Sequence, residues 1–135
     1  MIAVVDTSAF LRLFLPDGNL PKGMEAFFRG VERGEDLAIA PELMLAEAGN
    51  VANKKRCQGL LTREEASELV HLMRSMPVRY LSHVDLITPA LELAESHALT
   101  VYDALYLALA RKQNVRLFTA DEQLARIASI LGLNG

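Results

Sequence analysis

Residues 2–8, "IAVVDTS", decide the fold. Ile2 to Val5 form an unbroken, largely β-branched apolar run. Such a run suits a strand buried on both faces, as in a parallel sheet. Asp6 ends it, and Thr7 and Ser8 follow. A carboxylate there is either the cap of the next helix or one of several acids gathered at a sheet edge.

Outward from this stretch, strands and helices alternate. "SAFLRLFL" (8–15) has helical spacing, and a second helix is expected over about 21–33, with Met24, Phe27, Phe28 and Val31 on one side. "DLAIA" (36–40) is a second strand, after which Pro41 stands at a first helical position, with the helix running to about Cys57. Thr62 and Glu65 have capping-box spacing for a helix whose buried stripe is Leu69, Val70, Leu72 and Met73. "VRYLS" (78–82) is a third strand, a helix follows around 86–98, and Thr100 introduces the apolar "YDALYLALARKQN". "VRLFTA" (115–120) is a fourth strand, and the helix of 121–132 stops at Gly132. This rhythm implies an α/β fold, a three-layer α/β/α sandwich around a parallel sheet.

The bulk numbers fit one domain over 1–135. The chain is 51% hydrophobic and 23% charged, ordinary for a globular protein. Cys57 is the only cysteine, so no internal disulfide forms and a reducing compartment fits. No basic leader and no membrane-length apolar run are present, so a cytoplasmic protein is expected. The net charge of −3 speaks against holding nucleic acid by bulk charge, though an acidic pocket with a basic rim is compatible with a nuclease.

In parallel sheets ligands sit beyond the carboxyl ends of the strands. Asp6 ends the first strand, Glu47 lies early in the helix after the second, Asp103 is in the first turn after Thr100, and Asp121 follows the fourth strand. Each has a plainer role available: Asp6 as a cap, Asp103 in a capping-box variant with Thr100, Asp121 at a helix dipole. Glu47 stands among Leu43, Met44, Ala46 and Ala48, which counts against a merely solvated face. If the four converge, their mutual repulsion calls for a divalent cation. An oxygen-only donor set points to Mg²⁺ or Mn²⁺ rather than Zn²⁺, ions suited to phosphodiester hydrolysis.

"VVDTSAF", "PELMLAEAGNV", "YDALYLALA" and "LFTADEQL" resemble, in order, the four acidic motifs of the PIN-domain family, and in particular its VapC-type toxins. The likeness runs from end to end of the chain. It implies a Mg²⁺- or Mn²⁺-dependent endoribonuclease on a central parallel sheet of four to five strands. Asp6, Glu47, Asp103 and Asp121 are then the catalytic, metal-binding acids. Ser8 and Thr119 match positions where hydroxyls support the metal shell. The implied partners are an RNA substrate such as a tRNA or rRNA loop, a VapB-like antitoxin in a groove near the early helices, and a second copy in a homodimer. DNA and membranes are not among them. Many family members add a strand after the last helix, whereas this chain stops at "LGLNG".

Arg12, one turn past Ser8, has the reach to meet a phosphate or serves as a surface charge. Lys54, Lys55 and Arg56 complement a helix C-terminus or hold RNA. His71, His83 and His97 are scattered and read as structural or surface residues, and Tyr102 and Tyr106 as core packing. Two other readings stay open: a housekeeping RNA-processing nuclease with the same site, and a PIN-like binding module without catalysis.

Overall fold

The computed structural model describes residues 1–135. Four strands, β1 (Ile2–Val5), β2 (Leu37–Pro41), β3 (Val78–Leu81) and β4 (Arg116–Phe118), form one sheet in the order β3-β2-β1-β4. All neighbours are parallel. Seven helices flank it: α1 (Thr7–Leu11), α2 (Met24–Glu32), α3 (Leu43–Cys57), α4 (Arg63–Ser75), α5 (Ile87–His97), α6 (Val101–Gln113) and α7 (Glu122–Ile130). Right-handed crossovers put α1–α4 on one face and α5 and α6 on the other. The expected α/β/α sandwich is the observed fold. None of the helices is long and apolar enough to cross a membrane.

Burial explains the strand composition. Ala3, Val4 and Val5 of β1 are fully covered, as are Ala38 and Ala40 of β2. Phe118 packs its ring 5.1 Å from Phe27 of α2. On the other face α6 lies across β1, β2 and β4, with every residue from Ala104 to Ala110 buried.

Several boundaries differ from the sequence reading, each for a local reason. The helix expected over 8–15 ends at Leu11. Beyond it Arg12, Leu13 and Phe14 donate to carbonyls three residues back, a tightening that ends at Pro16, which has no N–H. The second helix starts at Met24 because Gly23 precedes it in the left-handed region, at φ 86. Pro41 belongs to β2, opposite Leu81. The ladder continues past it through Glu42 N–H, which donates to Leu81 O, so Pro41 closes a strand instead of opening a helix. The capping box of Thr62 and Glu65 is present, but Leu72 faces solvent while Leu69 and Met73 are buried.

The chain end also departs from the wider pattern. Gly132, at φ 72, stops α7. Its N–H donates to Ser129 O, and Leu133 N–H to Ala128 O, the paired bonds of a Schellman motif. This turn brings Leu133 O to Leu117 N–H of β4, at 2.7 Å. One ladder bond stands where a fifth strand would lie, and the sheet has four strands.

The site is positioned by topology. β1, β2 and β3 are laid down in one direction, and the chain then returns past β1 to add β4. The order reverses between β1 and β4, where a crevice opens at the carboxyl ends of the strands.

Candidate active site

A cavity of about 260 Å³ opens at this crevice, lined by Asp6, Thr7, Ser8, Leu11, Glu47, Val51, Asp103, Tyr106 and Asp121. The four acids singled out in the sequence therefore line one pocket. They arrive from β1, α3, α6 and the β4–α7 turn, and no Lys, Arg or His is among the lining residues.

Asp6 is the most constrained. Its N–H donates to Phe118 O, the last rung between β1 and β4. Its carboxylate accepts from Ala9 N–H at 2.9 Å and from Ser8 Oγ at 2.7 Å, both on Oδ1. Oδ2 accepts from Thr119 Oγ1 at 2.5 Å. Asp6 thus caps α1 and faces the pocket at once, so the two sequence readings are not alternatives. Ser8 Oγ in turn accepts from Ala120 N–H at 2.9 Å, and Thr119 Oγ1 from Asp121 N–H at 3.1 Å. These bonds fold the chain after β4 over the end of β1, which is why β4 is shorter than the expected 115–120.

Asp6 is 4% exposed. Burial pushes its carboxyl up to about 6, against the lowering effect of Thr119, Ala9 and Ser8 and with a further push from the Asp103 charge. Asp103 is also raised, first by burial and then by the charges of Asp121 and Glu47. Asp103 is thus the acid whose field links to the other three.

Asp103 sits in the first turn of α6. Thr100 Oγ1 accepts its N–H at 3.1 Å, which is the first half of a capping box. Asp121 caps α7 by accepting from Leu124 N–H on Oδ1 at 2.8 Å. Glu47 Oε1 accepts from Thr7 Oγ1 at 2.7 Å and from Tyr106 OH at 2.5 Å. Tyr106 is 1% exposed, and burial together with the Glu47 carboxylate pushes its phenol up, so it stays protonated and donates.

The sequence reading missed Thr7 and Tyr106 as pocket residues. The available signal for Tyr106 was its spacing: it lies one turn after Asp103 and so shares its helix face. Tyr102 is exposed. Arg12 does not line the pocket; its Nη1 donates to Asn19 O at 2.9 Å. Lys55 approaches Asp17 at 3.9 Å, and Arg56 Nη2 donates to Asn53 Oδ1 at 2.9 Å. His71, His83 and His97 lie outside the pocket.

A divalent cation suits this donor set. All four acids offer hard oxygen, and Glu47 Oε2 and Asp121 Oδ2 accept nothing from the protein. Burial first, and neighbouring carboxylates second, disfavour the ionised forms of Asp6 and Asp103, and a cation would favour them. As placed, no three of these side chains are close enough to ligate one ion together, so binding would draw the carboxylates inward.

The PIN domain family model matches residues 3–130. The chain is 36% identical over 129 residues to Ribonuclease VapC3 of Pyrobaculum aerophilum, covering 93% of each chain. Its fold is similar to the crystal structure of PAE2754 from Pyrobaculum aerophilum, with a TM-score of 0.69 at 24% identity over 93% of this chain and 86% of that one. It is similar also to Mycobacterium tuberculosis VapC20, described as a sarcin-ricin loop cleaving toxin, with a TM-score of 0.64 at 19% identity over 93% of this chain and 94% of that one.

Proposed function

The chain belongs to the PIN-domain family, and from that membership we propose that it is an endoribonuclease that hydrolyses RNA phosphodiester bonds at the four-acid pocket. In this reading it is the toxin of a VapBC-type pair, working in the cytoplasm as a homodimer and restrained by a VapB-like antitoxin. The observation that carries the proposal is the convergence of Asp6, Glu47, Asp103 and Asp121 on one cavity at the sheet's switch point. The name of the relative with 36% identity, Ribonuclease VapC3, supports the same activity.

Asp6, Glu47 and Asp103 would hold a Mg²⁺ or Mn²⁺ ion, with Asp121 completing the shell or helping to hold a second. When bound, such an ion supplies an activated water and neutralises charge developing at phosphorus. The chain's own residues do the rest. Ser8, Thr119 and the N-terminus of α1 fix Asp6, while Thr7 and Tyr106 fix Glu47. One of the four carboxylates would take the proton of the attacking water at an Oδ or Oε atom. Leu11 and Val51 give the pocket an apolar wall that limits bulk water. Lys54, Lys55 and Arg56 at the end of α3 are candidates to hold flanking phosphates of an RNA loop.

The test is cleavage of labelled tRNA and rRNA-loop fragments by purified protein with Mg²⁺ or Mn²⁺. Discrete cuts are expected, lost in EDTA and in Asp6→Asn and Asp103→Asn variants that keep the fold. Cleavage that survives both substitutions overturns the proposal.

A further inference from the structure

Between Ala104 and Ala110 the buried face of α6 carries one polar side-chain atom, the hydroxyl of Tyr106. A buried phenol needs a partner; Thr7 Oγ1 lies 2.6 Å away, but each hydroxyl carries one proton and both have Glu47 Oε1 within reach as acceptor. The arrangement goes beyond that need. The hydroxyls of Tyr106 and Thr7 converge on the same oxygen, Glu47 Oε1, and leave Oε2 without a protein donor. Glutamate has three rotatable side-chain bonds, and two donors on one oxygen select an orientation and present the other oxygen.

The elements involved make this a structural link. α3 and α6 lie on opposite faces of the sheet, and the Tyr106–Glu47 bond joins them across the carboxyl ends of the strands. Asp103 stands one turn earlier on α6. One rigid helix therefore carries an acid of the site and also the group that orients a second acid borne by α3. Glu47 has in Thr7 and Tyr106 what Asp6 has in Ser8 and Thr119.

We propose that Tyr106 is a positioning residue that, together with Thr7, sets the Glu47 carboxylate against Asp103 for binding a divalent cation. This rests on the acidic-site reading above. It separates Tyr106 from the apolar side chains around it, whose work is packing alone.

Tyr106→Phe tests it, since the ring stays and only the hydroxyl leaves. Mn²⁺ is titrated calorimetrically into wild type, Tyr106→Phe, Glu47→Gln and the double variant. Tyr106→Phe is expected to melt near wild type without metal and to bind Mn²⁺ roughly tenfold more weakly, the range for groups that orient ligands. Its kcat on RNA falls while KM holds. In the Glu47→Gln background the same substitution changes Mn²⁺ affinity no further, because it acts through Glu47. Thr7→Val, on the other donor, weakens Mn²⁺ binding in the same Glu47-dependent way. Wild-type affinity in Tyr106→Phe, or an equal loss in both backgrounds, overturns the positioning role. A wild-type protein that takes up no Mn²⁺ overturns the acidic-site reading, and the positioning role with it.

Discussion

Thr119 Oγ1 donates to Asp6 Oδ2 across the crevice between β4 and β1, at 2.5 Å. It is the foremost of the hydrogen bonds that hold Asp6 ionised against the effect of burial. A hydroxyl at the end of one strand thus offsets part of the burial cost of a carboxylate at the end of its neighbour.

Thr119→Val keeps the shape and removes that donor. Asp6 is expected to rise above its present value of about 6, and the acidic limb of Mn²⁺ binding to move to higher pH. Asp121 N–H also loses its acceptor. A loss of ~1–3 kcal/mol at neutral pH is expected, read by urea denaturation. An unchanged pH profile would mean that Thr119 does not tune Asp6.

Asp6 makes its own contribution to pH dependence. Its folded value of about 6 lies above the ordinary 3.8, so the folded state binds the extra proton in between. Its contribution to stability is therefore full below the ordinary value and is lost as pH rises through about 6, by at most about 3 kcal/mol. Asp6→Asn, which still caps α1 well, should lack this slope. The difference between the metal-free wild type and the variant across that window isolates it.

Metal binding should follow the same protons in the opposite sense. Cations compete with protons for carboxylates, and both Asp6 and Asp103 are raised. Mn²⁺ is expected to raise the melting temperature clearly at about pH 7.5 and little at about pH 5. Thermal melts with and without the ion at each pH decide it, and an equal shift at both would count against these two acids as ligands.

Gly30→Ala probes the fold away from the pocket. A Cβ at Gly30 would stand 1.8 Å from Asp36 Oδ2 and 2.8 Å from its Cγ. Asp36 also accepts from the amino group of Met1 at 2.7 Å, so moving it aside breaks that contact. The variant should lose ~1–3 kcal/mol, as overpacking typically does, while the folded protein keeps its Mn²⁺ affinity. A melting temperature equal to wild type would show that Asp36 yields without loss.

The fold was legible because β1 and β2 are short apolar runs and the helices between strands carry their own punctuation: Thr62 with Glu65, Thr100, and Gly132. The pocket was legible because topology sends the ends of all strands to one side, so placing Asp6, Glu47, Asp103 and Asp121 needed only the element order. What stayed hidden depends on tertiary distance. Tyr106 in "YDALYLALA" looks like core by period, and its ring is core; only the arrival of Glu47 from α3 makes its hydroxyl part of the site. Pro41 has the sequence context of a helix start, but the partner across the sheet, Leu81, decides that it ends a strand. Leu72 joins the apolar stripe of α4 by spacing, yet the face that packs is the one bearing Ala66, Leu69 and Met73.

The bond from Leu117 N–H to Leu133 O has a consequence for how molecules meet. β4 is an edge strand of three residues, and Arg116 and Phe118 turn their backbone groups toward β1. Leu117 alone presents its N–H outward, and that donor is already taken. An open strand edge is a template on which other chains assemble into aggregates; this one has no donor left to offer. Two copies of the chain cannot prolong the sheet through the Leu117 donor of β4 without first peeling Leu133 away.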